Sequence, residues 1–275
     1  MRLNIKRFII KIPIIGRLIK YIYYYLNDKI LNLFFQFFPD IGLRHYSNMQ
    51  KEIYQKFTLN FSDSKNLCVG AFEVQENYPY KKYLLEHYKG DYNRALDFAC
   101  GMGRMMRHMS NEFKIIDGVD LNENNLNFAR EYLSKHKIDQ KKYNLFISDG
   151  ISVNIPKNKY DFIYSTIAFQ HICVHKIRLN IIENLYRYLS QDGSMCLQFG
   201  FGFDNGTRYF DNFYAAKSTN AGNDVCIPDD SFLPLIKKEF HTIGFKEIKF
   251  EFKISPHPQF GNRYHPIWLF IHLKK

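Results

Sequence analysis

A strand, a glycine turn and a helix follow one another near position 100, and this pattern constrains the fold more than any other part of the chain. Residues 95–99 form a short apolar run typical of a buried strand, glycines stand at 101 and 103, and 104–110 is predicted to be a helix. Glycine lacks a Cβ, so the turn can adopt positive φ and let a ligand approach its backbone. The helix N-terminus favours an anionic group, whereas Asp97 at the strand end favours a cation. The pattern therefore predicts a ligand that carries both an ammonium and a carboxylate group.

Strands and helices alternate from this point towards the C-terminus, which predicts a parallel sheet covered by helices. Strands are predicted at 95–99, 114–119, 143–148, 159–167, 194–199, 245–254 and 264–273. Further helices are predicted at 122–136, 174–189 and 230–241, with another that starts near Pro79 and a glycine stop at 191–193.

The chain divides into two parts on this pattern. Residues 1–66 are predicted to be a basic and aromatic helical appendage, punctuated at 39–42 and ending in a short helix and a polar loop over 44–66. Residues 67–275 form the main domain, and the polar segment 200–228 is typical of a loop that covers a substrate.

Aspartates stand at the ends of three successive predicted strands, at Asp97, Asp120 and Asp149. Because the carboxyl ends of parallel strands meet at one edge of a sheet, we expect these carboxylates to lie close together. A carboxylate after the second strand of a doubly wound sheet can accept hydrogen bonds from both hydroxyls of a ribose. The alternatives are that Asp120 caps the next helix and that Asp149 is a turn residue ahead of Gly150.

The acid and the glycine turn resemble motif I of the class I S-adenosylmethionine-dependent methyltransferases, with Ala99, Gly101 and Gly103 at its glycine positions. A dinucleotide-binding turn would need glycine where this chain has Met106. The resemblance covers about residues 75–273 and implies a Rossmann-like α/β fold. Its seven-stranded, mostly parallel sheet has the order 3-2-1-4-5-7-6, with helices on both faces.

The same resemblance implies S-adenosylmethionine as the cofactor. In this family an acid at the third strand takes the adenine amino group, and an apolar neighbour covers the ring. The cofactor-binding residues that the resemblance implies are Asp97, Ala99, Gly101, Gly103, Asp120, Leu121, Asp149, Gly150 and Ile151.

His171 follows the fourth predicted strand, where a base faces the methyl group in members of this family. Imidazole titrates near neutral pH and suits proton removal from a hydroxyl. A structural or cofactor-side role for His171 stays equally open. His175 is four residues away, but with no third ligand nearby a shared metal is not favoured.

A second polar cluster precedes the last strand, at His257 and at residues 263–266. With Arg208, Tyr209 and Asp224 of the loop segment it is a candidate lining for the acceptor pocket, or a polar loop held by prolines.

The N-terminal segment is strongly basic. The chain carries a formal net charge of +11, and residues 1–26 hold six bases and no acid among apolar residues at helical spacing. A basic amphipathic helix broken at Pro13 fits the surface of an anionic membrane, and a cap on the domain or a dimer contact is the alternative. The longest uncharged run, 30–38, is too short to cross a bilayer. Five cysteines without metal-type spacing indicate a reducing compartment, so we expect a cytoplasmic protein, peripheral at the inner face of the membrane.

These observations predict a methyltransferase that acts on a hydroxyl of a sugar or another small polar acceptor. The resemblance extends to methyltransferases of bacterial surface-polysaccharide synthesis. A nucleic-acid methyltransferase is the first alternative, although no Asn-Pro-Pro-Tyr-like segment follows the fourth strand. A cofactor-binding adaptor without turnover is the second.

Overall fold

The computed structural model describes residues 28–63, 78–156, 159–202, 207–214, 224–255, 259–260, 263–264 and 266–275. The helices are α1 (Asp28–Phe37), α2 (Pro39–Asp63), α3 (Tyr80–Leu85), α4 (Arg104–Met109), α5 (Glu123–Lys135), α6 (His175–Tyr188) and α7 (Leu233–Ile243). The strands are β1 (Arg94–Phe98), β2 (Ile115–Asp120), β3 (Tyr143–Ile147), β4 (Tyr160–Ser165), β5 (Leu189–Phe201), β6 (Thr207–Arg208), β7 (Val225–Ile227), β8 (Glu247–Ile254), β9 (Gln259–Phe260), β10 (Arg263–Tyr264) and β11 (Ile267–Lys274).

Seven of these strands form one sheet in the order β3-β2-β1-β4-β5-β11-β8. The pairs from β3 to β5 are parallel, and β11 runs antiparallel to both β5 and β8. This is the predicted order, with β11 as the seventh and β8 as the sixth predicted strand, so the predicted fold class is confirmed. Over the described residues the sheet has nine strands, because β6 and β7, which lie in the predicted loop segment, pair beside β5.

The sheet has a hydrophobic core on each face, as the period of two along its strands dictates. Leu96 and Phe98 belong to the core that α6 and α7 cover, whereas Ala95 belongs to the core under α3, α4 and α5. Gly118 in β2 allows the second core to close, since a Cβ there would lie 2.6 Å from the sulfur of Met106. No helix in the described ranges has both the length and the apolar character that crossing a membrane requires.

The prediction for residues 39–66 was wrong in one respect. Residues 39–63 form a single helix of 25 residues where a short helix within 44–66 was predicted. The predicted break falls at the junction between α1, which ends at Phe37, and α2, which begins at Pro39. Proline suits the first helical position because its missing N–H has no partner there in any case, and Asp40 adds a favourable charge in the first turn. The predicted polar loop after it lies largely outside the described residues.

The predicted glycine stop at 191–193 was also wrong. Strand β5 starts at Leu189, directly after α6, and runs through Gly193 to Phe201. A Cβ on Gly193 would lie 2.9 Å from the carbonyl oxygen of Tyr160. Glycine at this position therefore serves the close approach of β4 and β5 and not a helix end.

Candidate active site

The turn between β1 and α4 places three residues in the left-handed region of backbone conformation. Ala99 has φ 59°, Gly101 φ 53° and Gly103 φ 80°. A Cβ on Gly101 would meet no atom within 4 Å, so this glycine faces open space, whereas one on Gly103 would lie 3.2 Å from the Cβ of Ala129. Ala99 holds a conformation that costs a non-glycine residue about 1–2 kcal/mol, which accounts for the glycine at this position in the family motif.

Asp97 is a buried carboxylate with an unpaired oxygen. Its side chain lies near the end of β1 at 2% exposure, and among the described residues Oδ2 has no hydrogen-bond partner. Burial raises the pKa of Asp97 well above its usual range, and the positive charge of Arg104 acts against this rise. Because a buried oxygen without a partner is costly, this position fits a ligand that donates a hydrogen bond, and an ammonium group fits best.

Asp120 joins the glycine turn to the end of β2. Its Oδ2 accepts a hydrogen bond from the Gly101 N–H at 2.9 Å, and Oδ1 accepts from the Asn122 N–H at 2.9 Å and from Nδ2 of Asn125 at 3.1 Å. Burial raises the pKa of Asp120, and these bonds oppose the rise. The alternative role as the cap of the next helix was wrong, because Asn122 caps α5 by accepting from the Asn124 N–H.

The turn after β3 differs from the prediction for its acid. The Asp149 carboxylate is exposed and accepts hydrogen bonds from the N–H groups of Ile151 and Ser152, at 2.8 and 2.6 Å. These bonds lower the pKa of Asp149 although partial burial raises it. Asp149 thus acts as a turn residue in this structure, and its contact with an adenine amino group stays a prediction.

A cavity of about 240 Å³ lies at this carboxyl edge of the sheet. The predicted residues that line it are Ala99, Gly101, Asp120, Leu121, Gly150 and His171. Four predicted cofactor residues do not line it: Asp97 and Asp149 lie outside the lining, Gly103 packs against α5, and Ile151 packs against the core. Of the two apolar candidates for covering an adenine ring, the structure therefore brings Leu121 to the cavity.

His171 lies in a single helical turn after β4 and lines the same cavity. Its Nδ1 lies 3.0 Å from Oδ1 of Asp224, a carboxylate that is 2% exposed. A carboxylate accepts, so Nδ1 donates to it, and in the neutral imidazole the other ring nitrogen, Nε2, is then the acceptor. His175 pairs with a different carboxylate, its Nε2 lying 2.7 Å from Oε1 of Glu239, so His171 and His175 contact separate acids.

Helix α2 supplies a wall of the cavity that sequence reasoning missed. Tyr46, Gln50 and Tyr54 line it, and the Tyr46 hydroxyl donates to the His171 carbonyl at 3.1 Å and accepts from the Cys173 N–H at 2.8 Å. These three residues recur every four positions and so share one helix face, which is the sequence signal that would have found them. Burial raises the pKa of Tyr46 well above its usual range, so the hydroxyl keeps its proton.

Other predicted residues lie away from the cavity. Tyr209 is buried and donates its hydroxyl to Glu239 at 3.0 Å, and Arg208 is exposed on β6. Tyr80, at the start of α3, packs under Arg104, with the guanidinium carbon 5.0 Å from the ring centroid. His257 and the side chains at 263–265 lie outside the described residues.

Comparisons with known proteins agree with this geometry. A family model described as a methyltransferase domain matches residues 95–193, from β1 into β5. Phosphoethanolamine N-methyltransferase 2 of Caenorhabditis elegans is 26% identical over 161 residues, which cover 57% of this chain and 36% of that protein. The matched region thus spans about a third of that relative's length.

Solved structures share the fold. The DhpI–SAH complex matches with a TM-score of 0.55 and 11% identity over 84% of this chain and 97% of its own. A S-adenosylmethionine-dependent methyltransferase of Clostridium acetobutylicum matches with a TM-score of 0.52 and 12% identity over 80% and 98%. The sheet order and the glycine turn are those of the class I S-adenosylmethionine-dependent methyltransferase fold, and residues 95–193 match a methyltransferase domain.

Proposed function

We propose that the protein transfers a methyl group to a hydroxyl of a small polar acceptor, with His171 as the general base. The observation that carries this proposal is the 3.0 Å contact between Nδ1 of His171 and the buried carboxylate of Asp224 at the cavity. A histidine held in this way presents Nε2 as a proton acceptor, which a hydroxyl acceptor needs.

The residues at the sheet edge fit S-adenosylmethionine, which supplies an activated methyl group on a sulfonium when bound. The unpaired oxygen of Asp97 fits the ammonium of the amino acid portion. The empty space over Gly101 fits a group pressed close to the backbone. Asp120 would hold the ribose hydroxyls and Leu121 would cover the adenine ring, with Asp149 shaping the turn on the far side.

In the proposed reaction the chain's own part is to position the acceptor and to move one proton. His171 takes the hydroxyl proton on Nε2, and the Asp224 carboxylate stabilises the positive charge that then develops on the ring. Tyr46 holds the backbone that directly follows this histidine, through its bonds to the His171 carbonyl and the Cys173 N–H. Exclusion of water by the apolar wall of the cavity strengthens these interactions.

Methylation of the amine of a small phosphorylated amino alcohol, such as phosphoethanolamine, is the second candidate function. It is supported by the similarity to phosphoethanolamine N-methyltransferase 2. The two candidates differ in the atom that receives the methyl group, because an amine that is already unprotonated needs no base.

We also propose a setting at an anionic membrane surface, with a sugar or lipid-linked sugar as the acceptor. The basic segment 1–26 and the polar segment between β5 and β7 support this setting. The nucleic-acid and adaptor alternatives are outcomes of the test below.

The test is a transfer assay with S-adenosylmethionine labelled on its methyl group. The acceptors are sugar nucleotides, lipid-linked sugars, phosphoethanolamine and tRNA, and mass spectrometry assigns the methylated atom. We expect an O-methyl product on a small acceptor. An N-methyl product on phosphoethanolamine would replace the first candidate by the second, labelled tRNA would establish the nucleic-acid alternative, and cofactor binding without transfer to any acceptor would favour the adaptor.

A further inference from the structure

Helix α1 is apolar on the side that faces solvent as well as on the side that faces the core. Its inner residue Phe35 is 5% exposed and packs in the main core together with Leu31. On the outer side, four large apolar residues recur at the spacing of one helix face. They are Ile30, Leu33, Phe34 and Phe37, with exposed fractions of 55, 54, 47 and 74%.

The apolar surface continues into the start of α2. Phe38 is 51% exposed and Ile41 52%, and the rings of Phe34 and Phe38 lie 4.9 Å apart. We call these six exposed residues, 30, 33, 34, 37, 38 and 41, the outer apolar face. A contiguous exposed face of this kind marks an interaction site, because scattered single residues are what an ordinary soluble surface shows.

The distribution of charged residues around the outer apolar face indicates a lipid surface as its partner. Between residues 30 and 41 the sequence holds a single charged residue, Asp40. The segment that leads directly into α1 is different, since residues 1–26 carry six bases and no acid. A surface that is apolar and aromatic, joined to a concentrated positive charge, matches a lipid interface with anionic headgroups.

We propose that the outer apolar face inserts into an anionic membrane surface while the basic segment 1–26 binds its headgroups. This goes beyond the proposed attachment of the chain by naming the surface that enters the lipid. The opposite side of α2 carries Tyr46, Gln50 and Tyr54 on the cavity wall. In the docked state α2 therefore lies between the lipid and the cavity, which is about 10 Å, one helix diameter, from the inserted face.

The test is cosedimentation of the full chain with vesicles of phosphatidylcholine alone or mixed with phosphatidylglycerol. We expect partition into the mixed vesicles only, weakened by added salt because salt screens exposed charges. The variant with Leu33→Ser, Phe34→Ser and Phe37→Ser should partition at least tenfold more weakly, and Phe37→Ser alone should show part of the loss. Leu235→Ser is the matched control, because Leu235 on α7 is 55% exposed and should leave vesicle binding unchanged.

Cofactor affinity, measured on the same samples, shows that each variant is folded and separates this proposal from the proposed function. Loss of vesicle binding with unchanged cofactor affinity and unchanged turnover of a water-soluble acceptor supports the proposal. The proposal is overturned if the wild-type protein does not sediment with the mixed vesicles, or if the triple variant binds them as strongly as the wild type does. A triple variant that alters only the oligomeric state, measured by light scattering, also overturns it and makes the face a contact between copies of the chain.

Discussion

The two ends of the cavity are built in different ways. At the cofactor end, the Gly101 N–H donates to the Asp120 carboxylate, and the strands that lead to the two residues, β1 and β2, are paired neighbours in the sheet. At the acceptor end, His171 depends on Tyr46, which lies 125 residues before it, and on Asp224, 53 residues after it. The first end is set by local sequence and sheet pairing, and the second by long-range packing. We therefore expect changes at the first end to act on cofactor affinity and changes at the second to act on turnover.

The largest expected effect is at His171. His171→Gln removes the proton acceptor and should lower kcat by about 10²–10⁴-fold, with cofactor affinity unchanged. Asp224→Asn should give a smaller loss of the same kind, and Asp224→Glu should recover part of it if the carboxylate positions the ring. Steady-state kinetics and calorimetry separate the two parameters. A loss of cofactor affinity equal to the loss of turnover would place His171 on the cofactor side.

The next effect is at Gly101, on the cofactor side. Gly101→Ala fills the space over the turn and should weaken cofactor binding at least tenfold. Its φ of 53° also costs an alanine about 1–2 kcal/mol of stability. Gly202→Ala is the control, because Gly202 has φ 80° and a Cβ there meets nothing closer than 3.7 Å. Gly202→Ala should lose a similar amount of stability and keep its affinity for the cofactor. Equal cofactor affinities in the two variants would mean that the cofactor does not contact the turn at Gly101.

Tyr46 tests whether α2 belongs to the acceptor end. Tyr46→Phe leaves the buried Cys173 N–H without its partner and should lower the free energy of unfolding by about 1–3 kcal/mol. It should also reduce kcat several-fold more than it changes the cofactor affinity. Tyr80→Phe is the control, because the buried Tyr80 hydroxyl has no hydrogen-bond partner in the described part of the chain. Denaturant unfolding of both variants gives the comparison, and equal losses would mean that the Tyr46 bonds contribute nothing specific.

Asp97→Asn should give the smallest change of these variants in the free energy of unfolding, and it should stabilise the protein where the others destabilise it. Because burial raises its pKa, the folded state holds the proton more tightly than the unfolded state does. Its stabilising contribution is present below the unfolded pKa near 4 and is lost as pH rises through the folded value. Asp97→Asn should therefore raise the free energy of unfolding at pH 7 and weaken cofactor binding.

Asp117 provides the control for Asp97. Its buried carboxylate is paired with Nε of Arg94 at 2.9 Å and with the Tyr160 hydroxyl at 2.8 Å. Asp117→Asn should destabilise the protein, because it breaks a paired buried group. Denaturant unfolding of Asp97→Asn and Asp117→Asn at two pH values tests this difference. If Asp97→Asn is destabilised at pH 7, burial of the Asp97 carboxylate does not cost the folded protein stability.

The same contrast explains how much the sequence could predict. The strands and the glycine turn were predicted from apolar periodicity and glycine spacing, which are local signals, whereas the order of the strands was predicted from the resemblance to a known family. The pairing of His171 with Asp224 and the contribution of Tyr46 depend on contacts between distant parts of the chain, so neither was predicted. For Asp149 the structure shows the turn contacts that were the alternative in the sequence, and its contact with an adenine amino group stays a prediction. Gly193 was predicted to be a helix stop because the sequence does not show that the Tyr160 carbonyl approaches its backbone.

The most direct measurement is calorimetry of S-adenosylmethionine binding to the wild type, Asp120→Ala and Asp149→Ala. Asp120 lines the cavity and Asp149 holds a turn beside it. We predict that Asp120→Ala weakens binding tenfold or more, which corresponds to about 1.4 kcal/mol, and that Asp149→Ala has the smaller effect. Unchanged affinity in Asp120→Ala would contradict the assignment of the cofactor to the β1–β2 edge of the sheet.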